Sequence, residues 1–482
     1  MSAKSTHTKE PTMSIDTARG ILGDATLAEL ETGLRGSVVR PGDAEYDQAR
    51  AVWNGAHDKH PAVIVRCAGT ADVIRAVEFA RSQDLLVAVR GGAHSIAGFS
   101  TCDDGIVIDL SPMKGAVVDP ARRRVVAQAG MTWGDLDHET QAFGLAVTGG
   151  LVSTTGIAGF TLGGGVGWLL RRHGLASDNL TAAEVVTADG RVVRAAPDEH
   201  PELFWALRGG GGNFGVVTSL EYQLHPVGPQ VLAGLIVYPL EEARQVVTGW
   251  RALIGDAPDD LTTLVNLTTA PPLPFLPEEV HGTRVVAVLG MYAGDLAAGE
   301  AAVGPLRTLG TPVADVMGPM PYTAMQSLLD PLWAAGAPTY FTSAFIEPSD
   351  AALDALLRRH LTTPTPFSEL HLHQLGGAFA RVPAEATAFS QREASVLCNV
   401  IARSPDRVGF DARVAWARGA REEIARHGHG AMYVNFTGDA AEDKVRASYP
   451  DAVYERLVSV KDTYDPTNLF RLNQNIRPSA SV

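Results

Sequence analysis

The chain has 482 residues, 45% of them hydrophobic and 20% charged, with a formal net charge of -14. That length exceeds one comfortable hydrophobic core and points to two domains. The negative balance argues against nucleic acid as a partner, and no run reaches the roughly 18 apolar residues of a membrane helix. Cys67, Cys102 and Cys398 stand too far apart for a disulfide framework or a zinc motif. We therefore expect a reduced, cytoplasmic protein, with a disordered leader over residues 1–15 and no apolar segment for secretion.

Residues 16–226 alternate short strands and helices. Ala62 to Val65 reads as a strand, and Thr70 as the cap of a helix carrying Val73, Ile74, Val77 and Ala80 on one face. Leu85 to Val89 is the next strand. It runs into Arg90-Gly91-Gly92-Ala93-His94-Ser95, a glycine turn that bears a histidine. Glycine permits positive φ and close approach of the backbone to a ligand, and such a loop offers amide donors to phosphate oxygens. His94 adds a nucleophilic nitrogen that a phosphate loop does not need. Thr132 opens another helix, and Asp189-Gly190 marks a hairpin.

Eight glycines fall between residues 149 and 167, at 149, 150, 156, 159, 163, 164, 165 and 167. Relative to alanine, ordering them costs on the order of 4–8 kcal/mol of backbone entropy. Tight turns explain single glycines; this density favours a long ligand laid against the backbone. Gly210-Gly211-Gly212-Asn213-Phe214-Gly215 matches G-x-G-x-x-G, but a helical stretch precedes it and a strand follows, the reverse of a dinucleotide site. Gly163-Gly164-Gly165 lacks the Lys-Ser/Thr of a triphosphate loop.

Residues 227–430 change character. Val231 to Tyr238 and Val285 to Met291 are long apolar strands, and Ala243 to Ile254 keeps helical spacing between them. In Leu370-His371-Leu372-His373, imidazoles alternate with leucines, so both histidines share one strand face. They suit proton transfer near neutral pH, or they are ordinary sheet residues. No third ligand at a convincing spacing supports a metal. The segment 431–482 turns aromatic and asparagine-rich again. Tyr433 and Asn435 lie two apart in a strand expected over Met432 to Phe436, hence on one face; from that pattern alone a packed core aromatic is the better reading.

Taken together, these motifs resemble the vanillyl-alcohol oxidase/p-cresol methylhydroxylase superfamily of FAD enzymes, and within it the berberine-bridge-enzyme-like oxidases. The matching segments are Arg90 to Ser95, Gly156-Ile157-Ala158-Gly159 with Gly163 to Gly167, His173 to Asn179, Trp205 to Gly215, Tyr433-Val434-Asn435, and Lys461 to Asn473. The resemblance implies an α+β fold, with an FAD domain built from both chain ends and a central substrate domain of antiparallel sheet and helices. It implies FAD bonded through its 8α-methyl carbon to His94. Some relatives carry a second tether on a cysteine; here Val152 falls at that place, which implies a single bond. The cofactor would be held by Arg90, Gly91, Gly92, Ala93, His94, Ser95 and Gly98. Gly149, Gly150, Thr154, Gly156, Gly159, Gly163, Gly164, Val217, Tyr433, Asn435 and Asn473 would complete its site. Tyr433 would face the flavin and serve in deprotonation, with His371, His373 and Asn435 as further catalytic candidates. The reaction implied is two-electron oxidation of a small organic molecule at a C–OH, C–N or activated C–H centre, with dioxygen as acceptor. A dehydrogenase with another acceptor, a sugar oxidase and a non-catalytic flavin- or metabolite-binding protein are the alternatives.

Overall fold

The structure, a computed structural model, describes residues 22–428, 430–439 and 441–480. The expected leader, 1–15, lies outside the described residues. Near the start, the strands Val63–Arg66, Ile106–Asp109 and Val87–Arg90 lie parallel, with Ser37–Val39 antiparallel at the edge. The crossover helix Thr70–Ser82 buries Val73, Ala76, Val77 and Ala80, the i, i+3, i+4, i+7 stripe of an amphipathic helix. Thr70 is its first residue rather than its cap: Gly69 holds the cap position, and the Thr70 hydroxyl donates to Glu184 Oε1 at 2.7 Å.

A five-stranded antiparallel sheet follows, ordered Ala116–Asp119, Arg124–Gln128, Val216–Gln223, Leu180–Val186 and Val192–Ala195. Its hairpin turns at Gly190, φ +83°. Both sheets share one apolar core, to which the chain's end contributes Tyr449, Tyr454, Leu457, Phe470 and Ile476.

The middle of the chain forms an antiparallel sheet of eight strands, the longest being Gln230–Pro239, Leu261–Thr269 and Arg284–Tyr292. Helices Ala243–Ile254, Asp350–Leu361 and Phe410–Ile424 cover one face. Glu369–Gln374 lies between Leu261–Thr269 and Val396–Arg403 in that sheet. Leu370 and Leu372 point into the helix-covered core, so the period-two alternation sends His371 and His373 to the opposite face. The segment after Met432 is not a strand: Val434–Phe436 forms a single 3₁₀ turn. Among the described residues no helix is long and apolar enough to cross a membrane.

Candidate active site

A cavity of about 320 Å³ opens between the glycine loops of the first unit and the histidine face of the central sheet. Gly91, Gly92, Ala93, His94 and Ser95 line it from one side. Gly150, Gly156, Gly159 and Val217 continue that wall, and Asn435 and Asn473 enter from the chain's end. His371 and His373 line the far side with Asn399, Trp333, Phe341 and Phe436. No Asp, Glu, Lys or Arg side chain is among the lining residues.

The histidine loop is held open toward the cavity. Ala93 adopts φ +59°, unusual for a residue with a Cβ. Among the described residues, the amides of residues 92–96 donate to no protein acceptor. Successive unpaired amides in a turn form a concave anion site. The His94 ring stacks on Trp53, centroids 5.0 Å apart and planes at 20°. Thr154 Oγ1 lies 3.0 Å from His94 Nε2 and Thr155 Oγ1 3.5 Å from Nδ1. Burial holds the His94 imidazole down at about 4, from an ordinary 6.5, so at neutral pH one ring nitrogen keeps its lone pair.

On the sheet side, Asn266, His371, Asn399 and Ser343 pair in register across four neighbouring strands. His371 Nε2 sits 2.9 Å from Glu369 Oε2, and Asn266 Nδ2 donates to the same carboxylate oxygen. Glu369 itself does not line the cavity; it supports His371 from behind. Desolvation, then the neighbouring His371, push His373 well below the ordinary histidine range. Among the described residues, the buried His373 Nε2 and Asn399 Oδ1 make no hydrogen bond. A buried polar atom left unpaired costs about 1–3 kcal/mol, so atoms of this kind on a cavity wall fit a role toward a bound molecule.

Other expected residues serve the frame. Arg90 is buried, and its guanidinium donates to the carbonyls of Ala49, Arg50 and Ser100; it ties down the strand end instead of lining the cavity. A Cβ on Gly98, φ +74°, would stand 2.5 Å from the His57 ring. Gly149 packs against Trp133 and Gln326, Gly163 against Asn435 and Gly164 against Phe389, so side-chain packing requires these glycines. Gly92 and Gly156 touch backbone to backbone, each virtual Cβ under 2.5 Å from the other's amide nitrogen. Much of the glycine cluster therefore serves contact between loops and not ligand approach alone. Thr154 reaches the cavity only through His94.

Tyr433 differs most from expectation. It is 1% exposed and does not line the cavity. Its Oη accepts from Gly165 N at 2.9 Å, Val166 N at 3.3 Å and Asn435 Nδ2 at 2.9 Å. Burial pushes the phenol up to about 12 despite those donors. The 3₁₀ turn brings Tyr433 and Asn435 together as a strut and places Phe436 on the cavity wall. Sequence reasoning missed Trp53, Trp333, Asn399, Glu369 and the lining glycines Gly211 and Gly212. The strand period of Glu369-Leu370-His371 was the available signal for Glu369.

Comparison with known proteins bears on this site. A family model described as "FAD binding domain" matches residues 61–196, and one described as "Berberine and berberine like" matches residues 432–477. The (R)-6-hydroxynicotine oxidase of Paenarthrobacter nicotinovorans is 32% identical over 466 residues, 93% of this chain and 98% of that protein. The chain belongs to the berberine-bridge-enzyme-like FAD-linked oxidoreductases. An FAD-linked oxidoreductase of Dictyostelium discoideum is likewise 32% identical, over 92% of this chain and 95% of its own. The crystal structure of 6-hydroxy-D-nicotine oxidase from Arthrobacter nicotinovorans superposes with a TM-score of 0.83 at 30% identity, covering 92% of this chain and 98% of the other. As an FAD-linked oxidoreductase, the protein offers residues that fit the cofactor. The free amides of 92–96 suit phosphate oxygens, the buried Asn473 Oδ1 on the wall has no protein partner, and His94 presents a neutral imidazole.

Proposed function

We propose that this FAD-linked oxidoreductase removes two electrons from a small, uncharged, flat organic molecule at a C–OH, C–N or activated C–H centre. Dioxygen takes the electrons, and the flavin is carried on His94 alone. The observation that carries the reading is a single cavity. It joins the His94 loop to a wall bearing the Glu369-supported His371.

Bound flavin supplies acceptance of hydride from the substrate carbon. The protein supplies the rest. The amides of 92–96 hold phosphate oxygens, and Asn435 and Asn473 border the same groove. An ionised Glu369 only accepts hydrogen bonds, so His371 Nε2 carries the proton and Nδ1 keeps the lone pair. Nδ1 then takes the substrate O–H or N–H proton, and the carboxylate compensates the charge that forms on the ring. His373 and Asn399 orient polar groups of the substrate. Trp333, Phe341 and Phe436 sheath the reacting end in apolar surface and exclude water. A wall without formal charge disfavours ionic substrates, because a charge desolvated there meets no counter-ion.

The single tether is supported by Val152 on the cavity wall and by the three cysteines, all buried and none lining the cavity. Dioxygen as acceptor is supported by the name of the hydroxynicotine oxidase relative. The test is anaerobic reduction of the purified protein by a panel of neutral aromatic alcohols and amines, followed by mixing with dioxygen. Fast reoxidation with peroxide supports an oxidase. Reoxidation far slower than turnover with an artificial acceptor makes it a dehydrogenase.

A further inference from the structure

We propose that Trp53 is a positioning residue for the covalent attachment of flavin to His94, acting together with Thr154. The inference rests on the His94 linkage proposed above. Trp53 lies outside the glycine loops and 41 positions before His94 in the sequence, yet its ring is the surface on which the imidazole rests, 5.0 Å away and nearly parallel.

Trp53 is itself fixed on three sides. Its backbone amide donates to Ala93 O at 3.1 Å and its carbonyl accepts from Gly336 N at 2.9 Å. Its indole Nε1 donates to Trp333 O at 2.9 Å. The next residue, Asn54, donates to Ile96 O at 2.8 Å and to Thr339 O at 2.7 Å. Residues 53 and 54 thus fasten the histidine loop to the central sheet. An imidazole otherwise turns broadly about its last side-chain torsion. The Trp53 face removes tilt, and Thr154 Oγ1, 3.0 Å from Nε2, removes rotation within the plane.

Bond formation needs that restraint. As the C–N bond forms, His94 gives up its N–H proton and the 8α-methyl gives up one C–H proton. The two electrons released pass through the flavin ring to dioxygen, which with the two protons leaves as hydrogen peroxide. The reacting nitrogen must point at one carbon, and misplacement by about 1 Å costs on the order of 10²-fold in such steps.

The test expresses the full chain as wild type, Trp53→Leu, Trp53→Phe and Thr154→Val. Total bound flavin is measured first. The flavin remaining with the acid-precipitated polypeptide is then followed over time, alongside the melting temperature. We expect Trp53→Leu to bind flavin but to form the bond at least about 10-fold more slowly, Trp53→Phe to restore part of the rate through its flat ring, and Thr154→Val, at an exposed position, to slow it several-fold with an unchanged melting temperature. A Trp53→Leu protein that bonds flavin at the wild-type rate overturns the proposal. Should that variant not fold, wild-type rates in both Trp53→Phe and Thr154→Val overturn it. A wild type that releases all its flavin in acid overturns the linkage and this inference together; a wild type that keeps it beside an unimpaired Trp53→Leu overturns this inference alone.

Discussion

Glu369 and His371 meet on one face of a single strand, with His371 Nε2 2.9 Å from Glu369 Oε2 and the imidazole on the cavity wall. The carboxylate fixes the tautomer and the ring plane, so its removal should impair the chemical step more than binding. We expect His371→Asn to slow flavin reduction by about 10²- to 10⁴-fold, the range for loss of a general base. Glu369→Gln should slow it by about 10²-fold or more, because the ring loses its orientation and the compensating charge. Stopped-flow reduction under anaerobic conditions reads both directly. Wild-type reduction rates in both variants would remove the base from this strand.

A buried ion pair anchors the C-terminal segment beside the cavity. Lys461 Nζ donates to Asp465 Oδ2 at 2.7 Å, Asn213 O at 2.8 Å and Phe470 O at 3.1 Å, and both side chains are 0% exposed. Asp465 also accepts the amides of Leu469 and Phe470. The cluster shapes the turn that delivers Phe470, Leu472 and Asn473 to the wall. Removing one partner strands a buried charge, at about 3–5 kcal/mol. Lys461→Met should therefore lower stability by that amount, measured by urea unfolding. A loss under about 1 kcal/mol would contradict this account.

Those two clusters also separate what was legible in the sequence from what was not. The His94 loop is local: a strand, two glycines and a histidine within ten residues, and the structure puts it on the cavity. His371 and His373 follow from a period of two. The surroundings of Tyr433 are not legible locally, because the Gly165 and Val166 amides that hold its hydroxyl are 268 and 267 positions away. No strand pattern reveals that Val434–Phe436 turns and that Phe436 takes the wall. Glycine density in the sequence points to ligand approach. Part of the cluster instead answers a loop-to-loop contact, Gly92 on Gly156, that exists only once the chain has folded. Trp53 and Trp333 are unremarkable in sequence and meet only through tertiary structure, 280 residues apart.

His360 sets an acid limit on stability. It is 0% exposed, neither ring nitrogen has a partner among the described residues, and burial, with Arg284 nearby, holds it down at about 4 from 6.5. The folded state therefore binds fewer protons than the unfolded chain between those values, and stability falls as pH drops from 6.5 toward 4. One group of this kind contributes a slope of about 1.4 kcal/mol per pH unit. His360→Leu should gain about 2 kcal/mol over wild type on going from pH 7 to pH 5. Denaturant unfolding at the two pH values checks it; a gain independent of pH would show that His360 does not titrate in this window.

Asp137 works with the opposite sign. It sits on the helix Trp133–Gln141 and accepts from Gln326 Nε2 at 3.1 Å, on the helix Tyr322–Gln326, while its Oδ1 has no partner. Full burial raises its carboxyl to about 7 from 3.8. The folded state thus holds a proton that the unfolded chain has lost, and stability drops as pH rises from 3.8 through 7. Above that window the buried carboxylate costs about 4 kcal/mol relative to acid, with only Gln326 to offset its desolvation. Asp137→Asn keeps the shape and the Gln326 contact without the charge. The variant should match wild type below pH 3.8 and melt at a clearly higher temperature at pH 8, the gap opening between pH 3.8 and 7 and then staying constant. Equal melting temperatures at pH 8 would mean that Asp137 ionises there without cost, and that water or a cation reaches the junction between the two helices.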